Sequence, residues 1–308
     1  MVTVMTPTYN RGYIIKNLYE SLRKQSSKNF EWLVIDDGSQ DNTEELFNNY
    51  ILKQKNDFKI QYYKIKNGGK HRAINYALDK AKGEYFFIVD SDDILTNDSI
   101  ETILEWFSTI KNKKNYAGVS GLRGYKNTNI MIGKTFQGKY KDCSNLERLN
   151  NNIIGDKAEI YYTNILRKYK FPVFENETFL SEMVVWNKIA ENGYIIRWFN
   201  KIIYKGEYLE DGLTKNMETR FMSSPKGYVL YLKTVIRNNN LINRNKLYSY
   251  YLYGIWFDLV RKKLIDKNFE EFKNKKLCFY LGYVIFELNK IRKKIIKLKS
   301  KKEEKNVL

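Results

Sequence analysis

At 308 residues with 43% hydrophobic composition, the chain is long enough to bury a sizeable core and to carry a catalytic domain with an appendage. Its formal net charge of +19 calls for an anionic partner, a role open to a nucleotide phosphate, an anionic membrane surface or a nucleic acid. Cys143 and Cys278 lack metal-ligand or redox spacing, no apolar run reaches transmembrane length, and a strand starting at Val2 leaves no room for a cleaved leader, so a reduced, cytoplasmic protein is expected.

Three short apolar runs, 2–5, 32–35 and 86–89, lack polar alternation and read as parallel strands covered on both faces. Each ends in a polar cluster: Pro7-Thr8-Tyr9-Asn10, Asp36-Asp37-Gly38-Ser39 and Asp90-Ser91-Asp92-Asp93. Open sheets bind ligands at the carboxyl ends of their strands, and carboxylates crowded there imply a cation or a set of hydroxyl donors. For the second cluster a turn is the alternative, since Asp, Gly and Ser are turn formers and Ser39 or Asp41 can cap the next helix. The third holds three carboxylates in four residues, more than a turn needs.

Between the runs, stripes such as Ile14, Leu18 and Leu22, or Ile74, Ala77, Leu78 and Ala81, predict amphipathic helices, and a further strand falls at 60–64. Residues 1–110 therefore read as the nucleotide-binding half of an α/β domain. In 111–224, the acceptor-binding half, short strand signals at 116–120, 160–163 and 194–199 predict a mixed sheet with long loops, and 181–192 a helix stopped by Gly193. Ser223-Ser224-Pro225 opens a helical, basic extension over 225–308, with an Asn-rich loop at 238–245. Near its end Val284, Leu288, Ile291, Ile295 and Leu298 form a narrow apolar seam among lysines, which reads either as a homodimer contact or as a surface for an anionic membrane.

Thr6-Pro7-Thr8-Tyr9-Asn10-Arg11, the run from Asp36 to Thr43, Asn67-Gly68-Gly69, Ala73-Ile74-Asn75 and Val89-Asp90-Ser91-Asp92-Asp93, in this order, resemble the family 2 glycosyltransferases over about residues 2–215. The resemblance implies a GT-A fold, a Rossmann-like α/β domain, here with a helical C-terminal extension. It also implies inverting transfer of a sugar from a nucleotide-diphosphate donor, a UDP-sugar, to a hydroxyl of a glycan or lipid-linked acceptor in cell-surface polysaccharide synthesis. By the same resemblance Pro7 and Tyr9 frame the nucleobase, Asp36 accepts a hydrogen bond from it, and Asp90 meets the ribose with Ser91 beside it. Asp92 would then hold Mn²⁺ or Mg²⁺, a divalent cation suited to an all-oxygen site. His71 is the only histidine, so the histidine that often completes such a shell has no counterpart.

Lys70, His71 and Arg72 follow Gly68-Gly69 at a predicted helix start, where N–H groups and cationic side chains can face a donor phosphate; a glycine turn with solvated basic residues is the alternative. Glu182 matches the family's acceptor-side base, although Met183 replaces the acid that follows it in many relatives. Trp186, one turn on, reads as core with acceptor stacking as the second choice, and Asp211 lies in a polar loop that can cover the site. A sugar-nucleotide nucleotidyltransferase would carry a glycine-rich loop where Pro7 to Gly12 stands. A basic nucleic-acid-binding protein, suggested by the charge and 25 tyrosines, leaves the strand-end carboxylates unexplained, so no nucleic-acid partner is expected.

Overall fold

The computed structural model describes residues 1–207, 217–241, 246–266 and 274–305, with side chains left out at 239–241, 246 and 293–305. They form two compact units, Met1–Arg220 and Phe221–Leu308.

The first unit opens with β1 (Val2–Thr8), α1 (Ile15–Arg23), β2 (Phe30–Asp36), α2 (Thr43–Asn49), β3 (Lys59–Lys64), α3 (Lys70–Lys80) and β4 (Tyr85–Ile88). It continues through β5 (Ile94–Leu95), α4 (Ser99–Ser108), β6 (Tyr116–Tyr125), β7 (Tyr140–Cys143), β8 (Lys157–Tyr162), α5 (Thr163–Lys168), α6 (Met183–Glu191) and β9 (Ile195–Gly206). All these strands share one sheet, ordered β3-β2-β1-β4-β8-β6-β9, with β5 and β7 each pairing part of the outer edge of β9. The first four strands are parallel, β8 runs antiparallel to both β4 and β6, and β6 and β9 are parallel. Strand order reverses at β1, which has β2 on one side and β4 on the other, and that reversal opens a crevice at their carboxyl ends.

The buried strands are longer than their apolar runs. β1 continues through Pro7 and Thr8 because β2 pairs with it as far as Asp36. Proline has no N–H to give a ladder. Here the Met5 carbonyl accepts from Val89 on the β4 side, so alternation turns Pro7 to that same side, beyond the last β1–β4 pair at Met5 and Ile88. β6 and β9 extend well past 116–120 and 194–199, and their pairing shifts register at three points, which breaks the period-2 pattern. Trp32 anchors the core: it is fully buried, stacks on Tyr19 at 5.9 Å, and donates its indole N–H to the Thr6 hydroxyl at 3.0 Å.

The boundary falls within α7 (Met217–Ser223). α8 (Pro225–Leu241) starts at the predicted proline but runs through 238–241, where the asparagines had suggested a loop; 242–245 lie outside the described residues. α9 (Lys246–Arg261) and α10 (Lys276–Lys305) pack antiparallel, as the contacts Tyr251 with Phe286 and Phe257 with Tyr280 show. They touch at Gly254 and Gly282, where an added Cβ would overlap the backbone oxygen of Gly282 or of Tyr250. Leu232, Ile236, Leu252, Trp256, Leu259 and Phe279 form this unit's core.

Candidate active site

A cleft of about 780 Å³ lies at the carboxyl ends of β1 and β4, a volume within the range of small-molecule sites. Its wall includes Pro7, Tyr9, Lys70, His71, Asp90, Ser91, Asp92, Glu182 and Trp186, so the structure collects these predicted residues in one place. Asp211 lies outside the described residues.

Loop geometry sets the donor-side wall. Asn10 adopts a positive φ of 52°, a conformation asparagine tolerates; its backbone N–H donates to the Ser39 hydroxyl and its side-chain carbonyl accepts from Gln40 N–H, both at 2.8 Å. This ties the turn after β1 to the turn after β2 and leaves Tyr9 45% exposed beside the cleft. Asp36 does not line the cleft. It is fully buried, accepts from Ser39 N–H at 2.7 Å and also accepts from the Tyr62 hydroxyl, which is the turn chemistry weighed for this cluster. Its neighbour Asp37 lines the cleft instead, accepting from Gly68 and Gly69 N–H at 2.8 Å each. Burial pushes the Asp37 carboxyl up, against those two hydrogen bonds.

The acceptor-side segment reaches the cleft because it is stitched to α3. The Asn75 side chain donates to the Phe171 carbonyl at 2.8 Å and accepts from Phe171 N–H at 2.9 Å, while Arg72 Nη2 donates to the Phe174 carbonyl at 2.7 Å. At the start of α3, Gly69 has φ +95°, and a Cβ there would overlap the Thr178 carbonyl. Glu182 follows directly, in the N-cap position of α6.

Lys70 joins the two walls. Its Nζ lies 2.6 Å from Asp90 Oδ1 and 2.9 Å from Glu182 Oε1. Burial works against the Lys70 charge, but these two carboxylates outweigh it and hold its pKa above the usual lysine value. Burial likewise opposes the Asp90 charge; Lys70, then Arg123, overcomes it and holds that carboxyl below its usual range. The basic trio is therefore not uniform: Lys70 is paired, Arg72 reaches Phe174, and His71 is buried and neutral, its pKa lowered to about 4 by burial and then by the Arg72 charge.

Arg123, an arginine inside the otherwise buried run of β6, was not singled out from sequence, and that interruption was its only signal. It stands 3.7 Å from Asp90 Oδ2 and 3.8 Å from Asp93 Oδ2, with its guanidinium 4.0 Å from the Tyr204 ring centroid. Tyr204 donates to Asp93 Oδ2 at 2.6 Å and accepts from Asp90 N–H at 3.0 Å, which fixes the turn after β4. Arg11 and Arg220 also line the cleft, and burial followed by the Arg11 charge pushes Arg220 down, so this side suits an anion.

Asp92 differs from its neighbours. Its carbonyl accepts from Lys126 Nζ at 2.7 Å, yet no described side chain hydrogen-bonds or pairs with its carboxylate. Burial, then the Asp90 charge, pushes that carboxyl up. A cation would reverse this, so Asp92 is the residue that would hold a divalent metal in an all-oxygen site. Among the described residues no three His, Cys, Asp or Glu side chains cluster as a self-sufficient metal site. Trp186 is 7% exposed and stacks on Tyr161 at 4.4 Å, as a core residue does, while also lining the cleft.

A parallel sheet continued by antiparallel strands, with a polar crevice at its strand ends, recurs in solved enzymes. The S. aureus TarS structure in complex with UDP-GlcNAc superposes with a TM-score of 0.57 at 23% identity, covering 89% of this chain and 75% of that one. A Campylobacter jejuni protein named GalNAc(5)-diNAcBac-PP-undecaprenol beta-1,3-glucosyltransferase is 27% identical over 282 residues, 85% of this chain and 84% of that protein. Glycosyltransferase GlyG of Streptococcus pneumoniae is 37% identical over 105 residues, a match spanning 34% of either chain. The family model for glycosyl transferase family 2 matches residues 3–169, which takes in β1 to β8 and the strand-end clusters of the cleft. With the GT-A sheet and more than half its length matched, the chain belongs to glycosyl transferase family 2.

Proposed function

We propose that this protein transfers a sugar, with inversion, from a UDP-sugar to a hydroxyl of a glycan or lipid-linked acceptor in cell-surface polysaccharide synthesis. The observation that carries the reading is the Lys70 bridge, which brings the donor-side carboxylate Asp90 and the acceptor-side carboxylate Glu182 within reach of one ammonium group. A base opposite the donor is what inverting transfer needs. The acceptor oxygen attacks the anomeric carbon, its proton passes to Glu182, and the bond to the diphosphate breaks with its electron pair leaving on the nucleotide. Of Glu175, Glu177 and Glu182, the three described candidates from the acceptor-side run, only Glu182 lines the cleft.

Pro7 and Tyr9 frame the base, Asp37 takes the hydrogen-bonding role that the sequence resemblance implies for Asp36, and Asp90 with Ser91 meets the ribose. Arg11 and Arg220 face the diphosphate. Asp92 would hold Mn²⁺ or Mg²⁺, which when bound would stabilise charge on the leaving phosphates. The ligand in the TarS complex supports a UDP-sugar, and the name of the C. jejuni relative supports a lipid-linked acceptor.

The test is a screen of nucleotide sugars with Mn²⁺ for hydrolysis and transfer, run beside Glu182→Gln. That variant should bind UDP as the parent does and transfer about 10²- to 10⁴-fold more slowly. Transfer at the parental rate would remove Glu182 from the role.

A further inference from the structure

α10 presents a row of exposed apolar side chains: Leu277 is 70% exposed, Leu281 47%, Val284 56%, Leu288 60% and Ile291 55%. They recur at alternating four- and three-residue steps, which places them on one stripe. The helix meets α9 through other residues, Phe279, Gly282, Tyr283 and Phe286. Within its own unit the stripe is therefore not the face that builds the core. No helix among the described residues is long and apolar enough to cross a membrane.

The charge beside the stripe selects its partner. From Lys276 to Lys305 the sequence carries ten lysines and arginines against three glutamates, with most of the excess after Asn289. Lys290 and Arg292 are exposed next to the last described apolar positions. A second copy docked in parallel would bring the same positive excess against itself and be repelled, and one docked antiparallel would leave that excess without an anionic partner. An anionic bilayer turns those charges into attraction while its acyl boundary accepts the apolar stripe.

We infer that α10 is an interfacial helix that seats the protein on an anionic lipid surface through Leu277, Leu281, Val284, Leu288 and Ile291, with Lys290 and Arg292 on the headgroups. This stands independently of the sugar-transfer reading, because its readout is lipid binding.

The experiment is sedimentation of the full chain with vesicles of phosphatidylcholine alone or with 30% (about a third) phosphatidylglycerol, at low and high salt. The expected result is binding to the anionic vesicles that falls with salt, little binding to the neutral ones, and a monomer by analytical ultracentrifugation. Val284→Ser with Leu288→Ser, and separately Lys290→Glu with Arg292→Glu, should each weaken partitioning by at least about tenfold. All four positions are exposed, so circular dichroism should match the parent. Equal sedimentation with both vesicle types, or unchanged binding in both double variants, overturns the inference. So does a dimer that the serine variant makes monomeric, which would assign the stripe to a second copy.

Discussion

Lys70 lies within 2.9 Å of two carboxylates belonging to opposite walls of the cleft, and its removal would leave Asp90 and Glu182 to repel each other. Lys70→Met should therefore lower unfolding stability by about 1–3 kcal/mol in urea titration, the range for stranding partly buried charges rather than for losing a surface ion pair. Adding Glu182→Gln should recover part of that loss. Asp92→Asn should abolish the Mn²⁺ dependence of UDP binding measured by calorimetry, with urea stability near parental, because no described side chain hydrogen-bonds to its carboxylate. Asp37→Asn should weaken UDP binding, whereas Asp36→Asn should mainly destabilise the turn after β2. That last pair marks a limit of sequence reading. Two adjacent acids look alike, and only the backbone path after a strand decides which turns into the sheet and which toward the cleft. The strand-end clusters themselves were legible, since buried parallel strands leave few places for so many carboxylates.

Helix α3 does more than cross the sheet. Its first turn carries Lys70, its flank is hydrogen-bonded to 171–174, and its N-cap glycine presses on Thr178. Gly69→Ala is expected to destabilise by about 2 kcal/mol or more, since alanine disfavours φ +95° and its methyl meets a carbonyl. The same variant should lose more transfer than UDP affinity, because the displaced segment leads to Glu182; equal losses would place the damage on the donor side. The helices were readable from their apolar period. The long strands β6 and β9 were not, because bulges offset their pairing and glycines such as Gly121 and Gly124 interrupt their side-chain pattern.

At the scale of the molecule, stability should respond to acid through opposing groups. His71 has a folded pKa of about 4 against 6.5 for free histidine, so the unfolded chain binds more protons between those values. Stability from a neutral His71 is full above about pH 6.5 and is lost as pH falls through 4. Asp93, raised to about 7 by burial and then by the Asp90 charge, acts in the other direction: its contribution is present at low pH and lost as pH rises through 7. Comparing the parent with His71→Gln isolates the first term. Between pH 7.5 and pH 4.5 the parent should lose about 2–3 kcal/mol relative to the variant. A constant difference across that range would show that His71 is protonated as easily in the folded chain as in the unfolded one.

The stitching of α3 to 171–178 also limits how the enzyme can be recombined. Chain order invites a cut near residue 110 for exchanging acceptor specificity with a relative. The hydrogen bonds of Asn75 and Arg72 and the contact of Gly69 with Thr178 all span that cut, and so does the β4–β8 pairing. A grafted second half would meet a helix shaped for another partner. Chimeras that carry α3 and 171–178 from the same parent should fold where a simple front-and-back swap does not, so the transferable module is discontinuous in sequence.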